Sequence, residues 1–238
     1  MNILLTNDDG YNSEGILILK EKLQKYGNVI IVAPLNHMSA KSVSITLYQG
    51  YEVQKMGEDT FVIDGTPADC VSFGLNALDI QFDLVISGCN SGFNLSYDTL
   101  YSGTVGAALE ALTRQVPSIA FSCNFNFEIV RNHFDKVLKY ILDNDLLSTE
   151  YLLNVNFPNG EEVEGIKLSS LYYCKHTPYF TKENGKYYVH RHMQVDFSDE
   201  PESDCYLVNH GFVSITPLSK TCFHNSVLED IKKKHNIK

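Results

Sequence analysis

The chain has 238 residues, 44% of them hydrophobic and 20% charged, as expected of an ordinary globular protein with one large domain. A formal net charge of −10 excludes a basic surface for duplex nucleic acid or anionic lipid. No apolar run approaches the roughly 20 residues that cross a bilayer, and no basic, apolar and small-residue succession marks a signal peptide, so a cytoplasmic protein without a membrane partner is expected.

The N-terminal part alternates short apolar strands with amphipathic helices. Ile3 to Leu5 is a continuous apolar stretch of the kind buried on both faces of a sheet. Ile16, Leu19, Leu23 and Tyr26 then recur at helical spacing, and Val29 to Ala33 forms a second strand stopped by Pro34. Tyr51 to Ile63, with a turn at Gly57 to Thr60, reads as a hairpin rather than a crossover helix. Gly65-Thr66-Pro67 opens a helix with Ala68, Val71, Leu75 and Leu78 on one stripe. Asp83 to Ser87 is a third parallel-type strand, followed by a loop rich in glycine and asparagine. A helix from about Gly103 to Gln115 leads to a strand at Ser118 to Ser122. A long helix marked by Val130, Phe134, Val137, Leu138 and Ile141 precedes a strand at Val155 to Phe157.

This alternation predicts an α/β fold, a Rossmann-like, doubly wound and mostly parallel sheet wrapped by helices. Beyond residue 160 the character changes. Tyr187 to Val189 and Met193 to Val195, with a turn at Glu183-Asn184-Gly185-Lys186, predict β-hairpins on a C-terminal extension. Isolated hairpins are marginal, so this extension is expected to pack on a partner subunit. The whole chain, 1–238, reads as one domain, with a core of about 1–160 and an extension of about 161–238. Val227 onwards closes as a short helix whose lysines, 232 to 234, read as a solvated terminus. The six cysteines show no paired spacing and read as free buried thiols.

Three loops follow predicted parallel strands, and loops at the carboxyl ends of such strands build ligand sites. The first, Asn7-Asp8-Asp9-Gly10, is turn chemistry in which two carboxylates can converge on one cation. The second, Leu35 to Ser42, contains Ser39. The third runs from Gly88-Cys89-Asn90-Ser91-Gly92-Phe93-Asn94 to Ser102-Gly103-Thr104, where a helix begins. A glycine flanked by hydroxyls at a helix N-terminus suits a phosphate, although the same residues also describe an ordinary capped helix start. The donors of the three loops are hard oxygens, which suit Mg²⁺, Mn²⁺ or Ca²⁺. A divalent ion held by them can act as a Lewis acid, lower the pKa of a water and orient an in-line attack.

These residues also carry a resemblance. Asn7 to Gly10, Ser39, Gly65-Thr66-Pro67-x-Asp69-Cys70, and Ser87-Gly88-x-Asn90-x-Gly92-x-Asn94 running into Tyr101 to Val105 resemble the SurE survival-protein nucleotidases. The likeness continues through Asn154-Val155-Asn156-x-Pro158 to Gly211-Phe212-Val213-Ser214-Ile215-Thr216-Pro217-Leu218. It implies a metal-dependent phosphatase of nucleoside 5′- and 3′-monophosphates, sometimes of polyphosphate, assembled as a homodimer or homotetramer partly through exchanged C-terminal elements. By position it implies Asp8, Asp9, Ser39 and Asn90 as metal ligands, and Asn94, Ser102, Gly103 and Thr104 as phosphate contacts. Asp8 or Asp9 is the candidate proton acceptor. Ala40 and Ser96 stand where the family usually has glycine, and Ser203 where it usually has threonine; the first two bear on the shape of the substrate entrance.

Other residues carry blander readings. His37 reads as a solvated loop histidine, His190 and His192 as an exposed hairpin face or subunit contact, and Cys89 as a small packed hydrophobe. Glu110 reads as second to the site or as surface, and Asp69 as the organiser of a helix start. An aspartyl-phosphate mechanism needs two aspartates separated by one residue, whereas Asp8 and Asp9 are adjacent. A nucleotide-binding protein that keeps the metal site without turnover is the alternative, and a dinucleotide enzyme lacks its Gly-x-Gly-x-x-Gly.

Overall fold

The computed structural model describes residues 1–173, 178–190, 199–219 and 232–234. In chain order the elements are β1 (Asn2–Thr6), α1 (Glu14–Leu23), β2 (Asn28–Pro34), β3 (Val53–Lys55), β4 (Thr60–Ile63), α2 (Pro67–Ala77), β5 (Leu84–Ser91), α3 (Asp98–Tyr101) and α4 (Gly103–Thr113). They continue as β6 (Ser118–Cys123), α5 (Phe127–Asp143), β7 (Tyr151–Asn156), β8 (Gly165–Leu168), β9 (Tyr179–Glu183), β10 (Lys186–His190), α6 (Asp204–Asn209) and β11 (Phe212–Ser219).

Nine strands form one sheet in the order β3-β4-β2-β1-β5-β6-β7-β11-β8. The run from β4 to β7 is parallel, whereas β3 pairs antiparallel with β4 and β11 antiparallel with β7. From β1 the chain builds outward to β2 and β4, then returns to start β5 on the other side of β1. The carboxyl ends of β1 and β5 therefore flank the point where strand order reverses, the place where open α/β sheets bind ligands.

Alternation along the strands divides the core in two. Ile3 and Leu5 of β1 join Ile16 and Leu19 of α1 and Phe134 of α5 in one cluster. Leu4, between them, faces the other way and packs with Val71 of α2 and Ala107 of α4. Each fully buried Leu or Ile contributes about 1.5–3 kcal/mol relative to exposure, so both sheet faces must be covered. Near the carboxyl ends of β6 and β7 the α4 side turns polar, with Ser122, Asn154 and Asn156 fully buried.

The predicted hairpin at Tyr51 to Ile63 is present as β3 and β4, and β4 also extends the sheet alongside β2. The helix at Gly103 ends at Thr113 rather than Gln115, because Gln115 sits at φ +61°. The loop expected after Ser87 is strand as far as Ser91: a register shift lets Asn90 and Ser91 pair with Ser122 and Cys123. Two strands and a helix from beyond residue 160, β8, β11 and α6, belong to the same body as the core. The hairpin predicted at Glu183 to Lys186 is β9–β10, with Asn184 and Gly185 both at positive φ as a tight twisted turn requires. The strand predicted at Met193 to Val195, His192, Cys174, Cys222 and most of the helix from Val227 lie outside the described residues, though Lys232 to Lys234 are helical. The other four cysteines are free and buried. Among the described residues, no helix is long and apolar enough to cross a membrane.

Candidate active site

The turn after β1 is built by Asn7, which is fully buried. Its Nδ2 donates to the Gly10 carbonyl (2.9 Å) and to Ser13 Oγ (2.7 Å), while its Oδ1 accepts from the Gly10 N–H (3.2 Å). Gly10 adopts φ +103°, which closes the turn and leaves Asp8 and Asp9 at its crest.

Asp8 is buried. The Thr104 hydroxyl donates to its Oδ1 at 2.6 Å, and its backbone carbonyl accepts from the Met38 N–H at 2.7 Å. Burial pushes its carboxyl above the ordinary range; the Thr104 bond opposes that, and the neighbouring charge of Asp9 adds to it. Asp9 points toward β5, where the Ser91 N–H (3.1 Å) and hydroxyl (3.2 Å) donate to Oδ2. On its other side His37 Nδ1 lies 3.3 Å from Asp9 Oδ1, and His37 Nε2 lies 2.7 Å from Ser39 Oγ. His37 is exposed but not an idle loop residue: it bridges Asp9 and Ser39. Asn90, next to Ser91, donates from Nδ2 to the Gly92 carbonyl at 2.8 Å.

Ser102 caps α4, its Oγ accepting from the Val105 N–H at 3.1 Å. The first N–H groups of a helix have no intrahelical acceptor, and here they begin beside Asp8. Gly103 makes the approach work: a Cβ there would lie 2.9 Å from Asp8 Cβ and 3.0 Å from its Oδ2. Asn94 is buried, and its Nδ2 donates to Ser122 Oγ at 2.8 Å. An amide NH₂ carries two protons, and that bond uses one of them. Asn156 clasps the Asn94 backbone like a short strand, accepting from its N–H (2.9 Å) and donating to its carbonyl (3.1 Å).

Asp8, Asp9, Ser39, Ser102, Gly103 and Thr104 thus meet at the β1–β5 switch point, with Asn90 at the end of β5. Two carboxylates with neutral oxygens beside them, and a helix N-terminus brought against Asp8 because Gly103 has no side chain, fit a hard divalent cation and an anion next to it. Ser91, which holds the Asp9 carboxylate, has nothing in its local sequence to distinguish it from its neighbours.

Buried acids hold the loops around this centre. Asp69 completes the predicted helix start, exchanging bonds with Thr66, and it also holds the segment that follows the second loop by accepting from the Thr46 N–H (2.8 Å) and hydroxyl (2.7 Å). Glu110 is buried rather than surface, paired with Arg114 Nε of the same helix at 3.0 Å. On the hairpin, His190 stacks on Tyr179 and contacts Thr181.

Ala40 and Ser96 both sit in the left-handed region, at φ +58° and +50°, which is the physical reason glycine suits these positions. Ala40→Gly is expected to raise stability by about 0.5–1 kcal/mol, the left-handed cost less the added freedom of the unfolded chain. Urea denaturation checks this, and an unchanged or lower midpoint would refute it.

The pattern that defines the family described as "Survival protein SurE" matches residues 3–177. A 5′-nucleotidase SurE of Clostridium botulinum (strain Alaska E43 / Type E3) is 37% identical across 98% of this chain and 99% of its own length. One from Petrotoga mobilis (strain DSM 10674 / SJ95) is 40% identical across 98% of each chain. The crystal structure of the SurE protein from Aquifex aeolicus superposes with a TM-score of 0.86 at 35% identity, covering 98% of this chain and 99% of that one. A family match over most of the chain, with relatives of 37% and 40% identity along nearly its whole length, shows that the chain belongs to the SurE survival-protein family.

Proposed function

We propose that this protein is a divalent-metal-dependent phosphomonoesterase that hydrolyses nucleoside monophosphates to nucleoside and phosphate. The observation that carries the reading is the 2.6 Å bond from Thr104 to Asp8, which makes the carboxylate pair and the helix N-terminus one continuous site. Relatives of nearly full length are named 5′-nucleotidases, which supports the substrate class.

The ligand set we assign is the one the family resemblance implies, Asp8 and Asp9 with the neutral oxygens of Ser39 and Asn90, and these hard donors suit Mg²⁺ or Mn²⁺ as the working ion, with Ca²⁺ fitting the same donors. When bound, the ion supplies Lewis acidity and a water of lowered pKa. The chain's own residues do the rest. The N–H groups of Gly103 and Thr104 and the amide of Asn94 receive phosphate oxygens, and Ser102 keeps the helix start open by capping Val105 itself. Water attacks phosphorus in line, forming one P–O bond as the ester P–O bond breaks. Asp8 or Asp9 takes the proton from the attacking water, the leaving oxygen takes a proton from solvent, and the nucleoside departs as an alcohol. The same chemistry extends to 3′-monophosphates and to short polyphosphate, because recognition rests on the phosphate.

The β9–β10 hairpin exposes Phe180, Tyr187 and Val189, at 62%, 68% and 57% of their surface, more apolar area than an isolated hairpin supports. This favours a homodimer or homotetramer built through the C-terminal region. The activity is tested by inorganic phosphate release from 5′-AMP and 3′-AMP using chelator-stripped protein with Mn²⁺ or Mg²⁺ restored, beside Asp9→Asn. Metal-restored release that the variant lacks is the expected result. No release from folded protein with either metal would leave a nucleotide-binding role instead.

A further inference from the structure

Three short bonds converge on one buried carboxylate far from the metal-ligand set in sequence. Asp204, the first residue of α6, accepts from the Ser96 N–H through Oδ2 (2.8 Å). Its Oδ1 accepts from the Tyr172 N–H (2.9 Å) and the Cys205 N–H (2.8 Å). Asp204 is fully buried, so these three donors take the place of water. The Ser96 hydroxyl closes the circuit by donating to the Tyr172 carbonyl at 2.8 Å. Around it, Leu95 packs with Cys205 and Val208, and the Tyr97 ring meets that of Tyr173 edge-on at 5.5 Å.

The turn held in this way lies between two parts of the candidate site. Asn94 precedes it, and the chain then runs through α3 to Ser102. Ser96 itself needs the clamp, because its φ of +50° is unfavourable for any residue but glycine. We propose that Asp204 is a positioning residue: from the C-terminal part of the chain it holds the Asn94–Ser96 turn in the shape that receives the phosphate group. This rests on the phosphomonoesterase reading for its substrate but not for its geometry.

Asp204→Asn isolates the contact. The asparagine oxygen keeps Tyr172 and Cys205, its two donors on one side, and so turns an NH₂ toward the Ser96 N–H, donor against donor. Ser203→Ala is the control. It weakens the same helix by removing the hydroxyl that accepts from the Tyr206 N–H and donates to the Glu200 carbonyl, and it leaves the turn untouched.

In the full-length protein, Asp204→Asn is expected to raise KM for 5′-AMP and weaken inorganic phosphate binding in the presence of Mn²⁺, each about tenfold, with kcat within about threefold. Mn²⁺ affinity stays at the wild-type value, and Ser203→Ala moves neither constant. The proposal is overturned if KM and phosphate affinity are unchanged in Asp204→Asn, if Mn²⁺ affinity falls with them, or if Ser203→Ala shifts them equally. Should Asp204→Asn not fold, hydrogen exchange on the wild type decides. A Ser96 amide strongly protected without ligand is expected, and one exchanging as freely as an exposed loop amide overturns the clamp. If the wild type releases no phosphate, the proposed activity fails, while the phosphate titration still decides the role of Asp204.

Discussion

Asp8→Asn is expected to abolish metal-dependent phosphate release while making the metal-free protein more stable at neutral pH. Burial raises the Asp8 carboxyl, with the charge of Asp9 adding to it, so the fold prefers the protonated acid. Stability from a raised acid is fully present below its unfolded pKa, about 3.9, and is lost as pH rises through the higher folded value. At pH 7 the ionised Asp8 is therefore a cost that the metal-free protein carries. Asparagine keeps an Oδ1 to accept from Thr104 and removes the charge. Thermal denaturation in chelator should show the variant a few degrees above wild type at pH 7, and the gap closing as pH falls toward 4. Phosphate release should drop by roughly 10³ or more, since the variant loses half of the anionic charge offered to the cation. A variant no more stable than wild type at pH 7 would mean that Asp8 does not carry this cost.

Gly106→Ala is expected to damage both stability and metal binding, although Gly106 touches neither carboxylate. It lies in the first turn of α4, where a Cβ would stand 2.0 Å from the Ser42 carbonyl oxygen and 2.8 Å from the Val43 nitrogen. Both are backbone atoms, so the second loop as a whole must move. Ser42 is itself tied to the end of α3, just before α4, donating its N–H to the Tyr101 carbonyl (3.0 Å) and its hydroxyl to the Leu100 carbonyl (2.8 Å). Displacing this loop strains those bonds and carries Ser39 away from Asp9. A loss of about 3 kcal/mol in urea denaturation is expected, with Mn²⁺ affinity down about tenfold. Gly50→Ala, further along the connection from β2 to β3 and with open space around it, should leave both unchanged. Equal effects at the two glycines would place the cost in backbone freedom rather than in the contact with α4.

Both predictions depend on features that the sequence displayed unequally. Asp8 and Asp9 were legible because a strand buried on both faces has a distinct signature, and a carboxylate pair right after it is unusual company for an ordinary turn. Ser102-Gly103-Thr104 was legible as a helix start, but its meeting with Asp8 was not: the two lie 96 residues apart and come together only because β1 and β5 are neighbours in the sheet. His37 looked like a loop residue until Asp9 and Ser39 were placed on either side of it. Asp204 carried no local signal, since its partners Ser96 and Tyr172 belong to distant segments with no periodic pattern.

Local chemistry by itself determined the alternation of strands and helices, the turn at Asn7 to Gly10, the Thr66–Asp69 cap, the Asn184-Gly185 hairpin and the hard-oxygen character of the candidate ligands. Those depend on side-chain period, φ preference and donor type, which neighbouring residues carry among themselves. Tertiary structure alone decided that β11 and β8 complete the sheet from the far end of the chain. It also decided that Ala40 and Ser96 occupy backbone conformations meant for glycine, and that buried carboxylates at Asp69 and Asp204 hold the loops around the site. Those outcomes come from long-range pairing and burial, where the partner that satisfies a backbone N–H lies tens of residues away.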